Sequence, residues 1–254
     1  MKGLARWILF VLAALLALQV FFVLRVAAIA AIDPQSTTFQ RSDAWRLATA
    51  KERFRWRQQW EAYASISDNL KRAVIASEDG SFTNHDGVDW EALEKAWERN
   101  SKAEEQAERQ ARRSGGKAGA APAAKRPVVR PPKIVGGSTI TQQLAKNLLL
   151  SGERTFLRKG QELMLAFVLE RMLDKERILE IYLNSVEWGE GVFGAEAAAR
   201  HYYRKPASRL SAYEAARLAV MLPRPRYFEK LPNSGYLASR ASTIVARMRG
   251  AELP

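Results

Sequence analysis

The sequence predicts a mainly α-helical domain carried behind an N-terminal transmembrane helix, and three observations predict it. Apolar residues recur at helical spacing in segment after segment, no run alternates long enough to make a lasting sheet strand, and residues 7–24 are almost continuously apolar. The 254 residues contain no cysteine. That removes disulfides and thiol catalysis and says nothing of compartment.

The apolar run, Trp7 to Leu24, has Gln19 as its only strongly polar residue. Eighteen such residues are long for a signal-peptide core and suit a membrane span, although Val26-Ala-Ala-Ile-Ala-Ala offers small-residue pairs to a peptidase. Lys2, Arg6 and the amino terminus outweigh Arg25. The expected arrangement of residues 1–32 is a cytoplasmic stub and an uncleaved single-pass anchor, with the bulk of the protein outside.

The formal charge is +13, and its location decides its meaning. Residues 1–60 hold nine basic side chains against three acidic and residues 100–133 the same, while the remainder is nearly balanced at 22 against 21. Within residues 33–60, Arg46, Lys51, Arg53, Arg55 and Arg57 interleave with Trp45, Phe54, Trp56 and Trp60. This composition would suit nucleic acid in isolation. Tethered beside a bilayer, it is expected to contact anionic lipid, each cation contributing on the order of 1 kcal/mol.

Residues 61–250 are expected to form one sizeable domain. Leu70, Val74 and Ile75 lie at helical spacing behind a cap at Ser67 or Asp68, and that apolar face delivers Glu78 and Asp79 into a turn with Gly80, Phe82 and His85. A carboxylate held there, part buried at the lip of a cleft, has its pKa raised toward working pH and becomes a useful proton acceptor; the plainer reading is a solvated pair at a frayed helix end. A helical pattern resumes at Asp89 and runs through Trp90, Leu93 and Trp97 into charged sequence. From Ser114 to Lys133 only Pro, Gly, Ala and cations remain in quantity. Residues 101–133 are expected as a flexible insertion, since that composition cannot repay the entropy of ordering.

Order returns at Gly136-Gly137-Ser138. Thr139 and Gln142 have capping-box spacing, and the glycines let backbone approach something closely. Ile140, Leu144 and Leu148 make the buried row, beside rows Gln142/Lys146 and Gln143/Asn147. The open N-terminus of this helix, with a lysine two turns in, is a candidate phosphate site, set against an ordinary amphipathic helix with a polar face. Arg154, Arg158, Lys159 and Glu162 accompany entry to the next helix. Asp174 starts another, on which Ile178, Ile181 and Tyr182 share a face. Ser211-Ala-Tyr-Glu214 is a second capping box whose helix Pro223 and Pro225 stop, and a last helix is expected over 235–249.

Four motifs now stand in order: Glu78-Asp-x-x-Phe82-x-x-His85-x-Gly87, Gly137-Ser-Thr-Ile-Thr-Gln-Gln-Leu-Ala-Lys-Asn147, Arg158-Lys-x-x-Glu162 and Lys175-x-x-Ile-Leu-Glu-x-Tyr-Leu-Asn184. Together they resemble the peptidoglycan glycosyltransferase family, the transglycosylases of cell-wall synthesis, over roughly residues 65–230. The resemblance implies a lysozyme-like, two-lobed helical fold on the outer face of a bacterial cytoplasmic (inner) membrane. It also implies lipid II as substrate and β-1,4-linked glycan as product. Glu78 matches the family's general base and Glu162 its second essential carboxylate, which either orients nearby cations or helps hold a divalent ion, Mg or Mn. Lys146, Arg154, Arg158 and Lys159 match positions around the leaving pyrophosphate. Asp79, Phe82, His85, Ser138, Thr139, Gln142, Gln143 and Asn147 are the remaining motif positions expected to bind substrate. Partners implied are lipid II, the growing glycan, the membrane and other cell-wall or division proteins, with no nucleic acid.

Two departures stand out. The insertion at 101–133 lies where the family has a shorter connection, and Tyr202-Tyr-Arg-Lys205 replaces the commoner aromatic pair followed by Gly-Lys. No Ser-x-x-Lys follows the four motifs, so the resemblance is to single-activity members without a transpeptidase domain. Two alternatives are a lysozyme-like lytic hydrolase, which needs neither the cation cluster nor an anchor, and an idle membrane scaffold, against which Glu78 and Glu162 argue.

Overall fold

The computed structural model describes residues 2–50, 55–115, 137–150, 152–153 and 155–254, with backbone alone for Lys2 and 110–115. The described chain divides into two compact units, Met1–Val88 with Thr139–Pro254, and Asp89–Ser138.

In the larger unit, α1 (Lys2–Ala31) is one unbroken helix. Its Gly3–Ala31 portion is, among the described residues, the one helix long and apolar enough to cross a membrane. Next comes α2 (Thr38–Thr49), set by a complete capping box: Gln40 N–H donates to Thr37 Oγ1 at 3.0 Å, and Thr37 N–H to Gln40 Oε1 at 2.8 Å. Gln40, Asp43 and Leu47 are buried. Arg46 pairs with Asp43 and Glu190, Arg57 meets His201, and the Trp56 ring lies 4.6 Å from that of Phe193. Of residues 33–60, expected against lipid, Trp56 and Trp60 are half-buried while Trp45, Arg46, Arg55 and Arg57 stay exposed. Arg46, Trp56 and Arg57 thus have partners that lie far away in sequence. Lys51–Phe54 fall outside the described residues.

α3 (Asp68–Glu78) starts where expected, Ser67 Oγ accepting from Asn69 N–H. Leu70, Ala73, Val74 and Ile75 are buried on its inner face. The later elements are α5 (Ile140–Leu149), α6 (Phe156–Met172), α7 (Lys175–Ser185), α8 (Ala195–Tyr203), α9 (Ala212–Met221), α10 (Pro225–Glu229) and α11 (Gly235–Met248). α3 packs on α9 and α11; α5 packs on α6, α7 and α2; α1 packs on α6. The sheet is minimal. Strands β1 (Arg57–Gln58), β2 (Glu187–Gly189) and β3 (Val192–Phe193) run in the order β1-β3-β2, with β1 parallel and β2 antiparallel to β3. Tyr182, Trp188, Phe82 and Phe193 are fully buried, and each such phenylalanine contributes about 1.5–3 kcal/mol of hydrophobic stabilisation.

The smaller unit is built on α4 (Trp90–Gly115). Asp89 Oδ1 accepts from Ala92 N–H at 2.7 Å, and Glu-before-Lys or Glu-before-Arg pairs at i,i+4 follow: Glu91–Lys95, Glu98–Lys102 and Glu105–Arg109. Each such pair adds ~0.2–0.5 kcal/mol to a helix. They carry the helix through 101–115, the first part of the segment expected to be flexible; residues 116–136 lie outside the described residues. A Cβ at Gly137 would meet Leu93 Cα at 3.3 Å and Ala96 Cβ at 3.4 Å, the close approach the sequence anticipates.

Candidate active site

Glu78 ends α3 half-buried. Gln143 of α5 donates Nε2–H to Glu78 Oε2 at 3.0 Å, and the Tyr182 hydroxyl of α7 donates to Gln143 Oε1 at 3.1 Å. Tyr182 is fully buried, and burial pushes its phenol well above the usual range, so it stays a neutral donor. That fixes the amide: its carbonyl takes the tyrosine proton, leaving the NH2 group for Glu78. Burial raises the Glu78 pKa, the Gln143 hydrogen bond pulls it back, the Asp79 charge raises it and Lys146 lowers it; the net direction is up. In the sequence Tyr182 stands on an apolar face and in the fourth motif, and neither points to its hydroxyl.

Asp79 turns the other way. It is buried, with Oδ1 accepting from His85 Nε2 at 2.9 Å and Oδ2 accepting from Ile140 N–H at 2.9 Å, the first amide of α5. Thr139 Oγ1 donates to Gly87 O at 2.6 Å and accepts from Gln142 N–H at 3.2 Å. The α5 N-terminus expected to meet phosphate therefore already holds an anion, the Asp79 carboxylate. Of the expected capping box the Thr139 half forms, and Asp79 takes the next amide, that of Ile140. Asp79, Phe82, His85, Thr139 and Gln142 were expected to touch substrate. All five side chains are buried, and the hydrogen bonds of Asp79, His85 and Thr139 clamp the end of α3 to the start of α5. Gly87 belongs to the same clamp. Its φ is +84°, and a Cβ there would come within 3.0 Å of Glu170 Cγ.

Glu170 carries a further network absent from the expected site. Its Oε1 accepts from Thr141 Oγ1 at 2.6 Å and from Lys175 Nζ at 2.8 Å, while Lys175 also donates to His85 O and lies 4.6 Å over the Phe82 ring. No spacing rule pointed to it, since Glu170 simply closes the apolar run of residues 163–169 in α6.

The other face of α5 opens on a cleft of about 720 Å³ lined by Gln143, Lys146 and Asn147, with Phe39 of α2, Arg158 of α6 and Glu187 of β2 among its walls. Lys146 is exposed there and Asn147 half-buried. Thr155 Oγ1 caps α6 by accepting from Arg158 N–H at 3.2 Å, which sets Arg158 and Lys159 in the first turn. Glu162 is buried between them: Oε2 accepts from Arg158 Nη1 at 2.9 Å and Oε1 from Lys159 Nζ at 2.5 Å. Both oxygens are thus engaged by cations, and among the described residues no group of three or more His, Cys, Asp or Glu accompanies Glu162. Its geometry is that of a cation organiser. Arg154 lies outside the described residues, and Ser138 falls in the smaller unit, exposed.

Glu187 is a cleft carboxylate the sequence did not single out. Arg226 Nε donates to its Oε1 and Arg226 Nη2 to Asp43 Oδ1; burial raises the Glu187 pKa and Arg226 opposes that.

A family model described as Transglycosylase matches residues 46–116 and 118–249. Curated relatives match over essentially the whole chain. A biosynthetic peptidoglycan transglycosylase of Burkholderia thailandensis is 51% identical, covering 100% of this chain and 90% of the relative. Its counterpart in Burkholderia vietnamiensis is 50% identical over 99% and 94% of the two chains. That of Paraburkholderia phytofirmans is 48% identical over 99% and 95%. The match spans both the clamp around Asp79 and the cations of α6, and the chain belongs to the transglycosylase family.

Proposed function

We propose that this peptidoglycan glycosyltransferase polymerises lipid II with Glu78 as its general base and the α5–α6 cations as its leaving-group site. The acceptor sugar's 4-hydroxyl gives its proton to Glu78 Oε as its oxygen bonds to the donor's anomeric carbon. The bond from that carbon to pyrophosphate breaks on the opposite face, the electron pair leaves with the phosphate oxygen, and the configuration inverts. The arrangement is that of an inverting glycosidase with a sugar hydroxyl in place of water. The observation that carries this reading is the part-buried Glu78 with its raised pKa, hydrogen-bonded to Gln143, itself a wall residue of the cleft. A base tuned upward is the better proton acceptor and contributes ~10²–10⁴-fold. Lys146 and Arg158 meet the charge that grows on pyrophosphate, with Lys159 behind them and Glu162 holding Arg158 and Lys159 against their mutual repulsion.

The substrate's lipid tail asks for a membrane, and α1 supplies the span, with the N-terminus cytoplasmic and the catalytic domain on the outer face of the inner membrane. Phe156 and Leu157, 97% and 87% exposed at the start of α6, favour placing that end of the domain against lipid, since α6 packs on α1. Other cell-wall or division proteins are candidate partners of the exposed part of α1.

Labelled lipid II incubated with purified protein in vesicles tests the reading. The expected result is polymer that muramidase digests, lost by at least about 100-fold in Glu78→Gln while that variant keeps its circular dichroism spectrum. Release of fragments from preformed glycan without consumption of lipid II would establish a lytic enzyme instead.

A further inference from the structure

We infer that Gln19 and Gln161 form a positioning pair that docks the membrane helix onto α6 and so holds the leaving-group cations in register. Gln19 donates Nε2–H to Gln161 Oε1 at 3.1 Å, and Gln161 donates Nε2–H to Gln19 Oε1 at 3.0 Å. Each amide thereby satisfies one donor and one acceptor on the other. Such a pair closes in one axial register only, whereas apolar side chains tolerate sliding.

The pair occupies a distinctive place. Along α1, Gln19, Phe22, Val26 and Ile29 follow one another at spacings of three and four; Phe22, Val26 and Ile29 are buried and Gln19 is half-buried. Every described side chain of α1 before Gln19 is exposed. Gln19 is therefore the first residue of the seam, and the only strongly polar residue of the apolar run is the one that lies on it. At the other end Arg177 donates Nε–H and Nη2–H to Ile29 O at 3.1 and 3.0 Å, and Nη1–H to Asp33 Oδ1 at 2.8 Å. From Gln19 to Ile29 is about 15 Å of helix, so α1 is held at two separated points and cannot pivot about one. On α6, Gln161 directly precedes Glu162 and lies one turn after Arg158, which lines the cleft. A shift of α1 against the domain moves the turn on which the cations stand.

The inference rests on the reading that those cations serve the leaving group, and its test separates the two. Full-length protein goes into phosphatidylethanolamine–phosphatidylglycerol vesicles, and kcat and KM for lipid II are measured for wild type, Gln19→Leu, Gln161→Leu and the double variant. Misplacing the cations lowers kcat by about 10-fold in each single variant with KM within about 2-fold, and the double variant is no worse than the poorer single because both lose the same pair. Losses that multiply in the double variant, or KM rising at unchanged kcat, would overturn the inference. The chain has no native cysteine, so Gln19→Cys/Gln161→Cys can be joined by a short bis-maleimide. Cross-linking in the vesicle with recovery of kcat supports positioning; a failure to cross-link, or a cross-link without recovery, overturns it. Wild type that does not polymerise lipid II brings down the function and the inference together, whereas active wild type with silent single variants brings down the inference alone.

Discussion

Glu78, held against α5 by Gln143, and Lys146, on α5 itself, lie in opposite environments. Around Glu78 the partners are neutral and fixed: an amide, a buried tyrosine hydroxyl, and next to them a carboxylate already consumed by His85 and a helix amide. Around Lys146 the cleft is open, and the neighbouring cations of α6 are held in place by Glu162. With Glu78 as the proposed base and Lys146 at the proposed leaving-group site, the difference follows from what each half must do. A base gains proton affinity by losing water, so its pocket closes round it. A pyrophosphate arrives and departs with every turnover, so its cations stay reachable, and the carboxylate that organises them sits behind, out of its way.

The sharpest way to break this comparison is on the open side. Lys146→Met removes charge where the leaving group is expected and should lower kcat by about 10²–10³-fold with a smaller change in KM; Lys146→Arg keeps charge without its point geometry and should recover only part. Nearly wild-type kinetics for both would leave Lys146 a solvated helix residue. The closed side breaks differently. Asp79→Ala leaves the Ile140 amide and the His85 ring without their buried acceptor, a cost of about 2–3 kcal/mol, and a fall in Tm of roughly 4–12 °C in thermal unfolding checks it. Gly87→Ala should cost about 1–2 kcal/mol, from positive φ and the Glu170 contact together, visible as a smaller fall in Tm.

The smallest effect has a distinctive pH dependence. Because the folded pKa of Glu78 is raised, its ionisation opposes folding, fully so above that raised value and not at all below the unfolded value of about 4.3. Glu78→Gln should therefore be as stable as wild type or slightly more so at pH 8, and the gain should fade as the pH is lowered toward 4. A variant markedly less stable than wild type at pH 8 would mean that Glu78 is structural.

Much of the closed side was legible as motif and little of it as geometry. Glu78 at the end of an apolar-faced helix, the start of α5 at Thr139, the caps at Ser67, Asp174 and Ser211 all follow from local spacing. What local spacing cannot carry is a partner far along the chain. Asp79 and Ile140 stand 61 residues apart in sequence, so a polar motif residue destined for the scaffold looks the same as one destined for substrate. The basic, aromatic stretch before residue 60 makes the same point: Arg46, Trp56 and Arg57 meet Glu190, Phe193 and His201, partners from well over a hundred residues later that local spacing could not name. Tyr182 was placed correctly on an apolar face, yet its hydroxyl has a role only once α5 brings Gln143 to it.

The acid limb of kcat/KM against pH tests most directly the claim that Glu78 is a base tuned by its closed surroundings. Activity should rise with pH through an apparent pKa above the ordinary carboxylate range, since the base must be ionised to accept a proton. Gln143 stabilises the ionised form by its hydrogen bond, so Gln143→Leu should move that limb to higher pH while the plateau at high pH falls much less than in Glu78→Gln. A limb that stays put in Gln143→Leu, or moves to lower pH, would contradict the assignment of the titrating group to Glu78.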